Sequence, residues 1–400
     1  MRPYVAIFFL GFCLSTLLGG EVEPGKHARL PCKSAPEWTY DLFVPASYAT
    51  ETKRHFPVVF LSSPGANPGF MGLEAWAEKN GALLVAINDS KNGLSFPEIT
   101  KIQDAVIKSV EATTRVHPCL RFSAGLSGAA WASMHMASRY PDSHAGVIAM
   151  AHSGNGTTFA KHIAIAFVHG DKDNVHPCSA VEAAYAGFKK KGNPARDLLV
   201  PGRGHEAAKK AETEEMLTWM LGWERLTHPK LPPDEKAAAL AEIKQRMAHC
   251  AELPTAAARV EEAEQLTQLP GVDKFPEYKA LAATWFSAAF EAAQGLSDPL
   301  DQHEHLMTLS EDPRVQAAPA AEQAKLAKQL AELRKRPEVK AEWEAAQVYE
   351  RAAKMEAAAG KNRTAMKEAQ HAYDACAKQF ATTKGGKLAQ TAAERLASVK

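Results

Sequence analysis

From about Trp38 to Trp223, short apolar runs alternate with amphipathic stretches, and this alternation constrains the chain more than any other feature. Strands separated by helices cannot pair by tight turns, so they must line up in a mainly parallel sheet covered on both faces. The runs expected to be strands are Tyr40–Val44, Pro57–Ser62, Ala82–Asn88, Leu120–Ala124, Gly146–Ala151, Ile163–His169 and Asp197–Val200. Helices are expected over Gly72–Asn80, Phe96–Thr114, Gly128–Arg139, Ser179–Lys191 and Glu206–Leu221. Runs such as Ile163–Val168, a near-continuous series of β-branched and other apolar residues, suit strands buried on both faces.

The pattern stops at Thr227–Pro233, where three prolines disfavour both helix and central strand. Beyond it the chain is rich in Ala, Glu, Lys and Gln, all strong helix formers. Ala345, Val348, Ala352 and Met355 form one apolar stripe at helical spacing. Ala365, Ala369, Ala372, Cys376 and Phe380 form a second, and Leu388, Ala392 and Leu396 a third. Gly360 and the pair Gly385–Gly386 read as helix-ending punctuation between them. These last helices weakly resemble tetratricopeptide repeats, but no clean period runs across Pro233–Lys400, and an irregular bundle fits equally well. At 400 residues, two domains are expected. The expected boundaries are a leader over 1–20, an α/β domain over 35–226, a linker over 227–233 and an all-α domain over 234–400.

Residues 1–20 differ from the rest. Arg2 precedes the apolar stretch Val5–Leu18, small Gly19 and Gly20 follow, and then Glu21 and Glu23. That is the pattern of a cleaved secretory signal, which implies a secreted or periplasmic protein; an uncleaved anchor is the alternative. No other segment is apolar enough to span a membrane, and a net charge of +1 argues against a nucleic-acid partner. If Cys13 leaves with the leader, five cysteines remain, with no metal-ligand spacing among them. Cys250 and Cys376 fit best as small buried hydrophobes. Cys119 and Cys178 are expected at opposite ends of the sheet, too far apart to bond.

The strand Leu120–Ala124 runs into Gly125-Leu126-Ser127-Gly128-Ala129 and then directly into a helix-forming stretch. A serine hydroxyl is a weak nucleophile and needs exposure, a base beside it and amide donors for an oxyanion. A sharp strand-to-helix turn supplies the exposure, and small residues at 125 and 129 let the two elements approach. Ala129 stands where the usual Gly-x-Ser-x-Gly pattern ends in glycine, which makes the motif less specific. Two later strands end in comparable loops: Gly170-Asp171-Lys172-Asp173 and Gly202-Arg203-Gly204-His205. A lone loop Asp or His is usually a cap or a solvated turn residue. Three residues in the order Ser, Asp, His, each after a parallel strand, would share one edge of the sheet, where such folds place their sites.

With these residues in place, the chain resembles secreted α/β-hydrolases of the polyhydroxybutyrate depolymerase, feruloyl esterase and dienelactone-hydrolase type. The likeness spans about Tyr40 to Leu221 and rests on Tyr40–Pro45, the Arg121–Ala129 elbow, Gly170-x-x-Asp173-x-x-His176 and Gly204-His205. It implies Ser127 as nucleophile, Asp173 as acid and His205 as base, with Asp171 the fallback acid. It further implies a small-molecule or polymer-linked ester substrate, a route through an acyl-enzyme, and neither metal nor organic cofactor. The departure lies in the oxyanion hole. The group carries His-Gly after the first central strand, whereas this chain reads Ser62-Ser63-Pro64-Gly65-Ala66. Pro64 has no amide hydrogen, so the partner of the Gly128 amide is left among Gly65, Ala66 and Ser63.

Two rival functions stay open. A hydrolase fold kept as a non-catalytic scaffold is motivated by Ala129 and the altered 62–64 segment. A prolyl-oligopeptidase-type peptidase would use the same triad. The helical domain could pack on the sheet domain, lid a cleft or bind a protein partner. Lys189–Lys191 fits a solvated helix end, Trp131 a core residue, and His152 a turn at the catalytic edge.

Overall fold

The computed structural model describes residues 22–154, 157–312, 314–315, 318–360 and 362–398. The leader expected over 1–20 lies outside the described residues. The chain divides into two compact units after Leu240, inside a helix. The proline-rich stretch expected as a linker is a short non-helical link over residues 228–232.

The first unit is built on eight strands: β1 (His27–Cys32), β2 (Ala35–Phe43), β3 (Phe56–Ser62), β4 (Leu83–Ile87), β5 (Val116–Leu126), β6 (His144–Met150), β7 (Ala164–Gly170) and β8 (Ala195–Val200). Their order across the sheet is β1-β2-β4-β3-β5-β6-β7-β8. β2 runs antiparallel to β1 and β4, and every pairing from β4 to β8 is parallel. The C-terminal ends of β3 to β8 therefore share one edge. β1 was not expected, because Pro31 and the charged Arg29 weaken its strand signal and it buries only Cys32.

Helices cover both faces. α1 (Glu74–Asn80) and α5 (Lys210–Thr227) pack Trp76, Met216, Leu217 and Met220 against Val59, Leu61, Phe122 and Ile148. On the opposite face, α2 (Phe96–Glu111) meets Val58 and Phe60 through Ile102 and Val106. α3 (Gly128–Arg139) and α4 (Cys178–Lys191) meet Val147, Ile165 and Phe167 through Met134, Val181 and Phe188. Adjacent residues of β3 thus enter opposite cores, as the pleat requires. α2 starts where Ser95 caps the Glu98 amide and Glu98 reaches back to the Ser95 amide, a reciprocal cap reinforced by Pro97. α5 begins at Lys210 rather than near Glu206, because residues 206–209 run as an extended loop after His205.

Near the end of α5, Glu224 is fully buried and neither carboxylate oxygen has a partner among the described residues. Burial pushes its pKa up to about 9, so the native state holds a proton that the unfolded chain releases above the ordinary carboxylate value. Stability therefore falls as pH rises from that ordinary value toward 9. Glu224→Gln removes the titration, and its melting temperature is expected to exceed the parent's by a margin that widens from pH 5 to pH 8.

The remaining chain is helical. α6 (Pro233–His249) crosses the division, and α7 (Ala256–Thr267), α8 (Tyr278–Gln294), α9 (Pro299–Glu311), α10 (Ala320–Leu333), α11 (Pro337–Ala359), α12 (Arg363–Gln379) and α13 (Lys384–Ser398) follow. α11, α12 and α13 enclose Ala345, Ala352, Ala369, Tyr373 and Cys376. Two expectations are corrected here. Leu388 and Met355 are exposed, and α13 faces inward through Ala389, Ala392, Ala393 and Leu396. Gly385 and Gly386 do not end a helix; both are buried in the first turn of α13, where the missing side chains let it approach Ala345 and Phe380. Among the described residues no helix is long and apolar enough to cross a membrane. The described cysteines are all free thiols, and Cys250 and Cys376 are buried as expected.

Candidate active site

β5 passes directly into α3 through Ser127, whose φ of 54° and ψ of −123° lie outside the ordinary regions for a residue with a side chain. The turn is held because the Ser127 amide donates to the Met150 carbonyl of β6 at 2.9 Å, while its carbonyl accepts from Ala130 and Trp131. Close approach of strand and helix demands a bare residue at 125: a Cβ there would lie 2.5 Å from the Ala129 carbonyl carbon and oxygen. Gly125→Ala is accordingly expected to disrupt the elbow, lowering both the melting temperature and any activity that depends on Ser127. Full retention of both would contradict this packing.

Strain gathers at this edge. The non-glycine residues with positive φ among those described are Ala66, Asn67, Met71, Ser127 and Ala151, all beyond the C-terminal ends of β3, β5 or β6. Such conformations persist where the surroundings over-determine them, and they cluster at functional sites.

The loop after β7 carries Asp173, whose side chain is fully buried. Its Oδ1 accepts the Val175 and His176 amides at 2.8 and 2.9 Å, and its Oδ2 lies 2.9 Å from Nδ1 of His205. Burial opposes ionisation of this carboxyl, but the His176 amide, the His205 ring and the Val175 amide outweigh it and hold the pKa below the usual range. Asp171 is engaged on the neighbouring turn: its Oδ1 accepts the Gly202 amide at 2.6 Å, before His205. The loops after β7 and β8 are in close contact, since the Lys172 amide donates to the Arg203 carbonyl at 2.9 Å. Gly170 allows that approach, because a Cβ there would sit 2.0 Å from the same oxygen. The buried Arg203 guanidinium binds both carboxylate oxygens of Glu212 in α5 through its two terminal nitrogens, so His205 leaves the sheet from an anchored loop.

Two further histidines adjoin His205. The His176 ring stacks on it at 5.7 Å between centroids, and His152 lies 4.5 Å from His176. Burial, with the neighbouring imidazoles, lowers the pKa of His176 and brings that of His152 to about 4. His152 also accepts the Gly154 amide, so it serves a turn and faces the site at once. Trp131 is half-buried rather than core, edge-on to Phe96 and His135 at 5.1 and 4.2 Å. Lys189–Lys191 are exposed in the last turn of α4.

The segment after β3 turns two of its three candidate donors onto itself. The Gly65 amide donates to Ser63 Oγ at 3.2 Å, and the Ala66 amide to the Ser63 carbonyl at 3.4 Å. The loop after β4 crosses beside it, with a bridge between Gly65 and Lys91 and an Asn92 amide donating to the Pro64 carbonyl at 2.9 Å.

The structure thus pairs Asp173 with His205 and sets Ser127 on the same edge. Among the described residues the half-buried Ser127 hydroxyl makes no hydrogen bond of its own. No cluster of His, Cys, Asp or Glu suited to a metal ion occurs among the described residues. His176 was visible in the sequence only as part of a motif. Asn92 carried no motif at all, although its place after a parallel strand put it on the functional edge.

Eight strands in this order, with β2 reversed and helices on both faces, define the first unit as an α/β-hydrolase fold. Solved structures similar to the chain include a ferulic acid esterase, at 16% identity and a TM-score of 0.36 over 45% of this chain and 90% of that one. Est1E from Butyrivibrio proteoclasticus matches at 14% identity and 0.38, over 49% and 97%. An S-formylglutathione hydrolase from Agrobacterium tumefaciens matches at 13% and 0.37, over 50% and 94%. No protein-family model and no curated protein matches the sequence.

Proposed function

We propose that this protein is an exported serine esterase that cleaves carboxylic esters through an acyl-enzyme. The observation that carries this reading is the 2.9 Å contact between Asp173 Oδ2 and His205 Nδ1, on the sheet edge that also bears the strained Ser127 elbow. With Nδ1 committed to the carboxylate, Nε2 is the nitrogen left to accept a proton, which is the tautomer a general base needs.

In the proposed cycle Ser127 Oγ attacks the ester carbonyl carbon while His205 Nε2 takes the hydroxyl proton. The carbonyl oxygen becomes an oxyanion, which the Gly128 amide at the start of α3 stabilises. Collapse expels the alcohol, which receives its proton from His205. Water then attacks the acyl-serine with His205 again as base, releasing the acid and restoring the hydroxyl. Asp173 keeps its charge throughout and steadies the imidazolium. No step calls for a metal or an organic cofactor. Export rests on the leader pattern of residues 1–20.

Parallel assay on short p-nitrophenyl esters and on a peptide library tests the reaction class. Esters are expected to turn over and peptides to lag well behind. Peptide cleavage that outruns every ester would replace the reading with a peptidase, and inertness toward both would favour a binding module.

A further inference from the structure

We propose that the side-chain amide of Asn92 completes the oxyanion hole, doing the work that a backbone amide after β3 does in an ordinary hydrolase site. The inference rests on the serine-esterase reading above and assigns a further catalytic residue to that reaction. Three observations converge on it. Pro64 has no amide hydrogen, and the Gly65 and Ala66 amides are both engaged by Ser63, so two of the three backbone donors left open by the sequence point away.

Asn92 meanwhile lies against Gly128, the residue whose amide is the elbow's donor in the proposed cycle. A Cβ on Gly128 would fall 2.3 Å from Asn92 Oδ1, 3.1 Å from its Cγ and 3.4 Å from its Nδ2. The amide group is therefore in contact with the residue whose N–H faces the nascent oxyanion. It makes no hydrogen bond to any described residue, so its donors are uncommitted.

Its placement is fixed by the backbone rather than by its own side chain. The Asn92 amide nitrogen donates to the Pro64 carbonyl at 2.9 Å, and Lys91 bridges to Gly65. The proline that removes one donor thus holds, through its carbonyl, the residue that supplies another. The carbonyl end of the Asn92 side chain is the end nearest Gly128, the first residue of α3. A half-turn about the terminal torsion exchanges oxygen for nitrogen at almost no change in shape, and an oxyanion on the Gly128 amide would drive that exchange.

An oxyanion donor acts on charge that develops in the transition state, so its loss lowers kcat and leaves KM nearly unchanged. Asn92→Ala and the near-isosteric Asn92→Asp keep the backbone bond to Pro64 and sit on an exposed loop, so both should fold with the parent's melting temperature. With p-nitrophenyl acetate, kcat is expected to fall roughly 100- to 1,000-fold in Asn92→Ala. Inhibition by phenylboronic acid, which forms a tetrahedral anion on the serine, should weaken in proportion. In Asn92→Asp the fall should be at least as large, because a carboxylate repels the oxyanion. Full kcat in Asn92→Ala, alongside an active parent whose Ser127 is phosphonylated by a fluorophosphonate, would overturn the role of Asn92 alone and return the second donation to the backbone of Ser63. A higher KM with unchanged kcat would likewise overturn it in favour of substrate binding. A parent that neither hydrolyses the ester nor takes the probe would overturn the esterase reading, and this inference with it.

Discussion

Replacing Ser127 by alanine is expected to lower kcat/KM for a short p-nitrophenyl ester by on the order of 10⁴- to 10⁶-fold. In the proposed cycle the loss is large because nucleophile and base act as a unit: without Oγ, His205 would have no proton to take and no acyl-enzyme could form. What survives is the rate of water attack on a bound ester polarised by the remaining donors. Stability should barely change. The hydroxyl of Ser127 makes no hydrogen bond to a described residue, and the bonds that hold the elbow belong to its backbone, so alanine keeps them. The unusual φ of 54° is as strained for alanine as for serine. Activity and melting temperature measured on the same preparation therefore separate a chemical role from a structural one. Ester turnover at the parental rate would remove Ser127 from the reaction.

Asp173→Asn should be nearly as damaging, with kcat reduced on the order of 10⁴-fold. Asp173 Oδ1 accepts two backbone amides, from Val175 and His176. In the asparagine variant only the amide oxygen can accept them, so the NH₂ group must turn toward His205 Nδ1. That nitrogen then has to be an acceptor, the imidazole proton moves to Nε2, and the base is lost in the wrong tautomer. If Asp173 served only to cap its loop, the retained carbonyl would preserve the cap and asparagine would be nearly silent. The substitution thus discriminates between a loop cap and a catalytic acid, which are the two roles a loop aspartate invites.

The parallel core of the sheet was legible because its strands are long apolar runs buried on both faces, and α3 was expected over the very residues it occupies, Gly128–Arg139. β1 escaped because an edge strand half open to solvent needs no apolar alternation. Leu388 misled in the opposite way: it continued an apolar stripe that α13 turns outward, since Ala389, Ala393 and Leu396 face the core shared with α11 and α12. The placement of Ser127, Asp173 and His205 on one sheet edge was legible because each follows a parallel strand and two of them carry glycine-flanked motifs. Sequence alone separates Asp173 from Asp171 only by resemblance, whereas the fold commits Asp171 Oδ1 to the Gly202 amide. The stacking of His176 on His205 and the contact of Asn92 with Gly128 depend on loop paths, which are set by particular hydrogen bonds rather than by periodicity.

The central claim is that Ser127 is a nucleophile activated at this edge of the sheet, and covalent capture tests it most directly. The folded protein is treated with a fluorophosphonate, digested, and its peptides weighed by mass spectrometry. A single phosphonyl adduct on the peptide containing Ser127, absent from heat-unfolded protein and from His205→Ala, is the predicted result. An untouched Ser127 peptide from folded, unmodified protein, or an adduct carried by a different residue, would contradict it.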